Sequence, residues 1–464
     1  MSIDYTLPLA LSITTAVAAA AFLLALALAR VTFRVLRRPW SRRRRLSRTA
    51  LAIFVAGCLS TWATARIKGA TMEQAAVDLA MTEAPRPPRD WRSSIVPPAP
   101  YMILAGDLHC HINPPDWSDH VARKLPETIQ IAREEQIDFI SLVPHVFSDF
   151  PEIDGKWARV AELVKDLQAR VDARPADGLI LDVGVEYIDP SGHFNMLFGD
   201  VPKALAAAEA RPRASSTGPR PGYRPPEHRA EDFVAAFVDQ GGILVVNHPL
   251  LTPIRSWVPL ARLDISWQPF TGRPPFRPEI AAADARASAF EAANLFVSDV
   301  RDRFLKGDRE ESMRNVLALL DQQILARRRR MTPVGGTDSH SFHLRPMTFV
   351  LAEQRSREAI RDAIRAGRTC VAQPAACTFE ARAEGAAAFL PVGSSIMGAS
   401  RVEVRAGGRA VVIHRNGERV AAPTGGQVAS IDVARDACSV LRATVDGGYS
   451  APIYVNCPFA SEVR

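Results

Sequence analysis

Asp107-Leu-His109-Cys-His111 is the stretch of this sequence that decides its fold, and it closes an apolar, strand-like run. Four similar patches follow it, and they read Leu142-Val-Pro-His145, Gly184-Val-Glu186 with Gly192-His193, Val246-Asn-His248-Pro, and Gly336-Thr-Asp338-Ser-His340. Residues two apart on a strand point the same way, so His109 and His111 present two ligands to one point. The same spacing recurs at Asp338 and His340. Imidazole and carboxylate groups brought together in this way hold borderline divalent metals, so the pattern predicts a metal-dependent hydrolase.

The clustering of the histidines is what makes this prediction specific. The chain has ten histidines, and six of them fall in these patches beside Asp and Glu residues. An isolated histidine is more often a polar core or surface residue than a ligand. We therefore assign no site to His228 or His414.

Taken in order, the patches resemble the motifs of the PHP (polymerase and histidinol phosphatase) superfamily. The resemblance runs from about residue 103 to residue 373, and its further segments are Glu127-Thr-Ile-Gln-Ile-Ala132, Ile137-Asp-Phe-Ile, Phe290-Glu-Ala-Ala-Asn294 and Ala366-Gly-Arg-Thr-Cys370. One such motif is weak, whereas five in the family's order are strong. The resemblance implies an α/β fold, a distorted barrel of seven strands and helices, with up to three metal ions at the carboxyl ends of the strands.

The resemblance also implies how ligands are shared among two or three divalent ions. The ligands implied for the first metal are His109, His111, Glu186 and Asp338. Glu186 would bridge to a second metal held by His193 and His248. Glu186 and Asp338 are the residues that we predict to be catalytic.

A third metal would take His145, His340 and one residue from the segment after His111. Asp119 is the first choice, because Ser118-Asp119-His120 resembles the family's Ser-Asp-Gly. His120 and Asp116 are the alternatives. The family also has Thr-Asp-His where this chain has Val143-Pro144-His145, so a carboxylate that would tune the histidine is missing from that position.

The chemistry that the resemblance implies needs no protein nucleophile. A divalent ion, which we expect to be Mn, Zn or Fe, lowers the pKa of its water to about 7 and so supplies hydroxide, while adjacent ions clamp a phosphate oxygen. Phosphate esters suit such a site, because their anionic oxygens replace water on the metals. Arg255 and Arg345 are the predicted substrate contacts; the alternative is that they are solvated surface arginines.

Two other functions are compatible with the sequence. One is a non-catalytic metal-binding or sensor module that keeps the fold, which the carboxylate missing before His145 favours. The other is an amidohydrolase-type enzyme that cleaves carbon–nitrogen bonds, since such barrels also begin with His-x-His. The Gly-Val-Glu and Thr-Asp-Ser-His motifs argue against it. We expect a metal-dependent phosphoesterase that acts on a small-molecule or lipid-linked phosphate ester.

Two uncharged segments precede the histidine patches. Pro8 to Ala29 is long enough, at roughly 1.5 Å per residue, to cross a hydrocarbon core of about 30 Å, and Thr49 to Ala65 is a shorter candidate span. Arg30 to Arg48 holds nine arginines and no acid, which is typical of a cytoplasmic loop rather than of a nucleic-acid patch. We expect a multi-pass protein of the bacterial inner membrane, tethered to the lipid bilayer, with its catalytic domain on the periplasmic side.

The composition is that of a globular protein with some membrane content, because hydrophobic residues make up 47% of the chain and charged residues 23%. With 464 residues, the chain exceeds one average domain. The arginine loop accounts for most of the net charge of +7. The charge therefore gives no reason to expect a nucleic-acid partner.

We expect four parts along the chain. Residues 1–67 form the membrane anchor, residues 68–100 a short helix and a Pro-rich spacer, residues 101–379 the metal-dependent domain, and residues 380–464 a C-terminal β domain. The last part shows short apolar or alternating runs that are separated by turn residues such as Asn416-Gly417. This pattern is typical of hairpins in a small β-sandwich, for which we predict a structural or docking role.

One insertion within the metal-dependent domain is rich in aromatic residues. Residues 250–278 follow His248 and carry four aromatic residues, which either roof the metal site or pack the loop onto the barrel. These are Trp257, Trp267, Phe270 and Phe276.

The side chain of Cys110 should point away from the histidines beside it. In an oxidising compartment, two disulfide bonds are open to the chain, one between Cys370 and Cys377 and one between Cys438 and Cys457.

Overall fold

The structure is a computed structural model that describes residues 86–116, 121–147, 156–175, 177–189, 191–210, 230–250, 266–271, 275–295 and 309–459. All of these residues belong to one compact unit, which comprises Ala80–Thr252 and Ile265–Arg464. The unit has a mixed α/β fold, and its described strands form sheets of eleven, six and four strands.

The largest sheet begins with the strand that carries the first histidine patch. Its strands before the C-terminal region are β1 (Met102–Cys110), β2 (Phe139–Leu142), β4 (Ile180–Val183), β10 (Thr348–Ala352) and β11 (Thr369–Val371). β1 is parallel to β2 and is buried from Ile103 onward, as expected for a strand that is covered on both faces. Gly106 faces Phe139 on β2, and a Cβ there would overlap the phenyl ring.

The six-stranded sheet supplies most of the other patches. Its strands, in their order across the sheet, are β3 (His145–Phe147), β5 (Val185–Asp189), β6 (Gly192–Leu197), β7 (Ile243–Val246), β8 (Ala289–Asn294) and β9 (Thr332–Gly336). Only two residues separate β5 from β6. This is too short for a crossover helix, so these strands pair antiparallel as a hairpin.

The strands of the predicted distorted barrel do not form one continuous sheet. The strands from β1 to β10 divide between two sheets, and β6 and β10 run antiparallel to their neighbours. One isolated parallel bridge, between Cys110 and Ser339, connects the end of β1 to the segment after β9. The connection from β9 to β10 contains no helix, and antiparallel strands need none.

The C-terminal strands form two layers around a shared core. The four-stranded sheet contains β12 (Glu380–Ala383), β13 (Leu390–Pro391), β15 (Arg401–Arg405) and β18 (Ala429–Asp432). The strands that join the largest sheet are β14 (Ser395–Ile396), β16 (Val411–Arg415), β17 (Glu418–Ala421), β19 (Ser439–Val445), β20 (Gly448–Ser450) and β21 (Ile453–Val455). β20 pairs with β11, so one layer of the predicted sandwich continues into the preceding domain. The predicted boundary at residue 380 stays a prediction.

The shared core draws on both layers and on the largest sheet. Val402 and Val404 come from the four-stranded sheet, Ile413 and Leu441 from the opposite layer, and Phe349 from β10. At the predicted Asn416-Gly417 turn, φ is 54° and 87°, and the flanking strands β16 and β17 pair antiparallel. Positive φ at both central residues is what a two-residue hairpin turn requires.

The helices cover the sheets. They are α1 (Trp91–Ser94), α2 (Leu125–Glu134), α3 (Lys156–Asp172), α4 (Val201–Glu209), α5 (Ala230–Asp239), α6 (Gln268–Thr271), α7 (Pro278–Arg286), α8 (Arg309–Arg327), α9 (Arg357–Arg365) and a 3₁₀ turn at Pro374–Thr378. The Glu127 carboxylate accepts from the Lys124 N–H at the start of α2, and the Ser356 hydroxyl accepts from the Ala359 N–H at the start of α9. Such contacts satisfy backbone donors that have no partner inside the helix.

The predicted membrane localisation is corrected by the structure. Within the described ranges, no helix is long and apolar enough to span a bilayer. α3 and α8, for example, carry charged residues along their lengths, which oppose insertion into lipid. This finding contradicts the multi-pass localisation in the inner membrane, and we withdraw that prediction. Pro8 to Ala29, Arg30 to Arg48 and Thr49 to Ala65, on which it rested, lie outside the described residues.

The described part of the predicted spacer is packed onto the fold. Trp91 in α1 is buried, and its ring centroid lies 5.6 Å from that of Phe349 in an edge-on contact. Arg92 Nη2 lies 2.8 Å from Asp138 Oδ2. Trp91 therefore contributes to the core, and Ile95 packs against it, so this segment is attached to the fold.

Two disulfide bonds lie in the C-terminal half of the chain. They join Cys370 to Cys377, with Cα atoms 5.3 Å apart, and Cys438 to Cys457, with Cα atoms 4.3 Å apart. Both pairs that the sequence left open are thus bonded. Cys110 is a free, buried thiol.

Candidate metal centre

Side chains from all five patches lie together in the interior. Potential ligand atoms form three groups, and within each group all atoms lie within 4.8 Å of one another. The groups are His109 with His111 and Asp338, Glu186 with His193 and His248, and His111 with His145 and His340. The structure therefore brings together every predicted ligand that it describes, while their binding of metal stays a proposal.

Glu186 on β5 lies at the centre of these groups. Its Oε1 is 3.5 Å from His109 Nε2 and 3.3 Å from His193 Nδ1. Its Oε2 is 3.5 Å from both His111 Nε2 and His145 Nε2. A carboxylate with imidazoles on both oxygens is placed to contact two cations, as the bridging role would require.

A second buried carboxylate, Glu291 on β8, contacts residues of two groups. Its Oε1 lies 2.7 Å from His109 Nδ1, and its Oε2 accepts from the His248 backbone N–H at 2.9 Å. Asn294 Nδ2 donates to Glu291 Oε2 and to Asp338 Oδ2, each at 3.0 Å. When His109 is neutral, this contact keeps its proton on Nδ1 and leaves the Nε2 lone pair facing Glu186.

Sequence reasoning gave no role to Glu291 or Asn294. The signal that could have found them is an acid and an amide inside an otherwise apolar strand, because such residues are rarely buried unless they are paired. Asn247 was missed in the same way, and its Nδ2 donates to Glu186 Oε1 at 2.8 Å. Glu291, Asn294 and Asn247 therefore form buried hydrogen bonds with the predicted ligands and hold them in place.

Asp116, one of the three candidates for the third metal ligand, lies beside His145. Its Oδ1 lies 3.0 Å from His145 Nδ1 and accepts from the His145 backbone N–H at 3.0 Å. Its Oδ2 lies 3.4 Å from His111 Nδ1. Asp116 therefore supplies the carboxylate that the residue before His145 lacks. Asp119, the first choice, and His120 lie outside the described residues.

Two of the predicted ligands have unusual backbone geometry. φ is 52° at Asp338 and 26° at His248, which is rare for residues other than glycine. The Asp338 N–H donates to His109 O at 2.8 Å. Gly336 lies so close to His109 that a Cβ on the glycine would overlap the histidine Cβ. Backbone strain that the surrounding fold maintains is common at functional sites.

Asp107 holds the first and last patches together beneath the ligands. Its Oδ1 accepts from the backbone N–H of His109 at 3.0 Å and of Thr337 at 2.9 Å, and its Oδ2 accepts from the Thr337 hydroxyl. Burial raises the pKa of Asp107 to about 6, although the hydrogen bonds from Thr337 act in the opposite direction.

The carboxylates and imidazoles of the centre shift one another's pKa values. Burial acts to raise the pKa of Glu186 and of Asp338, but neighbouring imidazoles, above all His109, hold both well below their usual values. Burial acts to lower the pKa of His111, but its contacts with Asp116 and Asp338 raise it from 6.5 to about 9. The metal-free cluster therefore holds protons at neutral pH, and these would have to leave when a cation binds.

Several buried ligand atoms have no hydrogen-bond partner within the described chain. They are His109 Nε2, His248 Nδ1, and the facing pair His111 Nδ1 and Asp116 Oδ2, which form an ion-pair contact at 3.4 Å but no hydrogen bond. Buried polar atoms are normally hydrogen-bonded, so a cluster of such atoms without hydrogen bonds fits a set of residues that binds a cation. The mixture of imidazole and carboxylate suits Zn, Mn or Fe better than the oxygen-rich sites of Ca or Mg.

No described contact connects either of the predicted substrate-binding arginines to the ligand groups. Arg345 is buried, and its Nη1 lies 3.1 Å from Glu135 Oε1 just beyond α2. Arg255 lies outside the described residues. The substrate-binding role of both arginines stays a prediction.

The described aromatic residues of the 250–278 insertion favour packing over roofing. Trp267 is fully buried, forms an edge-on contact with Phe194 at 6.1 Å between ring centroids, and donates from Nε1 to Asp284 Oδ1 at 3.0 Å. Phe270 lies under the Arg327 guanidinium at 4.9 Å. Trp267 therefore anchors this segment to the fold.

No protein-family model matches the sequence, and no curated protein matches it. Among solved structures, the chain resembles a two-domain protein from Bacteroides vulgatus that contains a predicted PHP-like metal-dependent phosphoesterase. That protein is 15% identical, with a TM-score of 0.37, and the match covers 80% of this chain and 99% of that chain.

Two further structures show similar likenesses. A lesion-specific endonuclease from Pyrococcus furiosus is 14% identical, with a TM-score of 0.33, over 57% of this chain and 56% of that chain. An amidohydrolase from Chromobacterium violaceum is 15% identical, with a TM-score of 0.26, over 51% of this chain and 88% of that chain. At these identities and TM-scores, the likenesses do not decide the family of this chain, and the PHP resemblance rests on its own residues.

Proposed function

We propose that this chain is a metal-dependent hydrolase of phosphate esters with a PHP-type site. The observation that supports this proposal most strongly is the set of three ligand groups around one carboxylate, Glu186. A purely structural cluster has no need for so many imidazoles with nitrogen atoms left without partners. A cation would satisfy those atoms and the negative charge of Glu186 and Asp338 together.

The proposed ligand sets are those that the PHP resemblance implies. The first set is His109, His111, Glu186 and Asp338, and the second is Glu186, His193 and His248. The third is His145 and His340 with Asp119, or with His120 or Asp116 in its place, and His111 lies beside the same two histidines. Bound divalent ions lower the pKa of a coordinated water and stabilise charge on phosphate oxygens.

The protein's own contribution is to hold these groups in place and to exclude water. Glu291 and Asp116 fix the orientation of His109 and His145 through their Nδ1 atoms. Glu186 and Asp338, the proposed catalytic residues, supply the negative charge that keeps two cations close together. Because the cluster is buried, these charges interact more strongly than they would in bulk water.

Two alternatives make different predictions. A non-catalytic binding module was favoured by the missing carboxylate before His145, and the contact of Asp116 with that histidine weakens this argument. An amidohydrolase-type enzyme would bind the same metals but cleave a carbon–nitrogen bond. A nucleic-acid ester also stays open as a substrate, since its exclusion rests on the charge distribution alone.

An assay of the full chain separates these functions. The protein is stripped with a chelator, reloaded with Mn, Zn or Fe, and tested on a phosphomonoester, a phosphodiester, a DNA duplex and an aryl amide. We expect metal-dependent release of phosphate or alcohol and no turnover of the amide. Metal binding without any turnover would support the binding module, and turnover of the amide alone would support the amidohydrolase.

A further inference from the structure

Arg123 places a fully buried positive charge beside the candidate metal centre. Its guanidinium donates to neutral acceptors, which are Thr128 Oγ1 at 2.9 Å, Ser339 Oγ at 3.0 Å, His111 O at 2.9 Å, Cys110 Sγ at 3.0 Å and the Ser341 carbonyl. Among the residues that the structure describes, no carboxylate forms an ion pair with it. A buried cation usually has such a partner, because desolvation is costly.

The acceptors of Arg123 belong to two distant segments that carry predicted ligands. The carbonyl of His111 ends the first histidine patch, and Ser339 stands between Asp338 and His340 in the last patch. Nη2 donates to His111 O, while Nη1 donates to Ser339 Oγ. The planar guanidinium therefore spans both segments, which lie more than two hundred residues apart in the sequence.

The backbone around Arg123 joins the same two segments. The Ala122 N–H donates to His340 O at 3.0 Å, and the Asn113 N–H donates to Arg123 O at 2.8 Å. On the other side, Nε donates to Thr128 in α2, which fixes the guanidinium against a helix. No described contact of Arg123 reaches Glu186, His193 or His248.

We propose that Arg123 is a positioning residue that sets the distance between His111 and the Asp338–His340 pair, and so controls metal binding by the first and third ligand groups. The proposal rests on the proposed function, because it requires those groups to bind metal. Lysine cannot replace the arginine, because its single ammonium cannot donate in one plane to both segments. The group of Glu186, His193 and His248 is not expected to depend on Arg123.

The test compares Arg123→Lys with Arg442→Lys in the full chain. Arg442 is also a buried arginine, but it pairs with Asp321 away from the metal centre. Each variant is titrated with Co²⁺, whose visible absorption reports ligand geometry, and bound metal is counted by elemental mass spectrometry. We expect Arg123→Lys to bind fewer ions, with the weakened sites losing roughly tenfold or more in affinity, as for other outer contacts of metal ligands. Arg442→Lys should keep the wild-type count and spectrum.

A milder variant keeps the proposal testable if Arg123→Lys does not fold. Thr128→Val removes one acceptor of Arg123 and lies on α2 rather than among the predicted ligands. It should weaken the same sites by a smaller factor, and it should have no further effect on metal affinity when combined with Arg123→Met. Wild-type metal affinity and spectra in Arg123→Lys, or in Thr128→Val if Arg123→Lys does not fold, would overturn the proposal. Absence of metal binding in the wild-type protein would instead overturn the proposed function, and this proposal with it.

Discussion

Two buried ionic clusters in this molecule differ in how completely their charges are paired. Between α8 and β19, Arg442 donates from Nε and Nη2 to the two oxygens of Asp321, each at 2.8 Å. In the candidate metal centre, Glu186 lies 3.3 to 3.5 Å from four imidazoles. Both members of the first pair are hydrogen-bonded to each other, whereas the second cluster contains buried nitrogen atoms that form no hydrogen bond.

We infer from this difference that the first pair of charges serves the fold and that the second cluster serves a ligand. A bidentate arginine–carboxylate pair satisfies both members and needs nothing else. A group of imidazoles and carboxylates at slightly longer distances has room for a cation between its atoms. Damage to the first cluster should therefore reduce stability, and damage to the second should reduce metal binding.

The largest effect is expected from Glu186→Gln. The substitution removes the negative charge that keeps two cations together, so bound metal and hydrolysis should fall together, by more than the roughly hundredfold seen for outer contacts. Asp182→Asn is the matched control, because Asp182 is another buried acid, paired with Arg357 outside the centre. Elemental analysis and a phosphate-ester assay measure both variants, and full activity with full metal content in Glu186→Gln would contradict the two-metal proposal.

Asp321→Asn should reduce the stability of the fold without reducing metal binding. It leaves the buried Arg442 without its counter-charge, which typically costs about 3–5 kcal/mol. Urea unfolding should show this loss, while the folded variant should bind as much metal as the wild type. A parallel loss of metal would mean that the two clusters are not independent.

Glu291→Gln tests whether Glu291 determines which nitrogen of His109 carries the proton. The His248 N–H and Asn294 both donate to Glu291 Oε2, so the amide oxygen should take that position. The amide NH₂ would then face His109 Nδ1 and move the imidazole proton to Nε2, which could no longer bind metal. We expect a loss in metal affinity of about ten- to hundredfold, measured by competition with a chromogenic chelator. Glu279→Gln is the control, because Glu279 in α7 accepts from the Tyr187 hydroxyl at 3.3 Å and belongs to none of the ligand groups. Equal affinities in the two variants would refute the tautomer argument.

The smallest effect is a pH dependence confined to the metal-free protein. The pKa of His111 rises from 6.5 to about 9 on folding, so its protonation stabilises the fold fully below pH 6.5 and loses that contribution as the pH approaches 9. Chelated protein should lose stability across this window, and metal-loaded protein should not, because the cation replaces the proton. Thermal unfolding at several pH values measures the difference. A flat profile in the chelated protein would count against the raised pKa.

The sequence predicted the members of the site better than the arrangement around them. Strand periodicity associated His109 with His111, which share a ligand group. It also associated Asp338 with His340, but these residues follow the end of β9 and lie in different groups. Glu291, Asn294 and Arg123 had no such signal, because their roles depend on contacts between segments far apart in the chain. Asp116 was kept as a candidate beside Asp119, and the structure places it against His145.

The fold was predicted in class but not in its strand pairing. Apolar strand-like runs and intervening helices indicated an α/β fold, and turn residues such as Asn416-Gly417 indicated the C-terminal hairpins. The division into two sheets was not predictable, because it depends on the β5–β6 hairpin and on the helix-free connection into β10. The membrane localisation, inferred from two uncharged segments and the arginine-rich loop between them, is the prediction that the described helices contradict.

The most direct test of the central claim is the number of metal ions bound by the wild-type chain. Protein purified without chelator and reconstituted with Mn, Zn or Fe would be dialysed and analysed by elemental mass spectrometry. The three ligand groups around Glu186 predict two or three tightly bound ions per chain, which leave together on chelation and return on reloading. Less than one bound ion per chain after reconstitution would contradict the account.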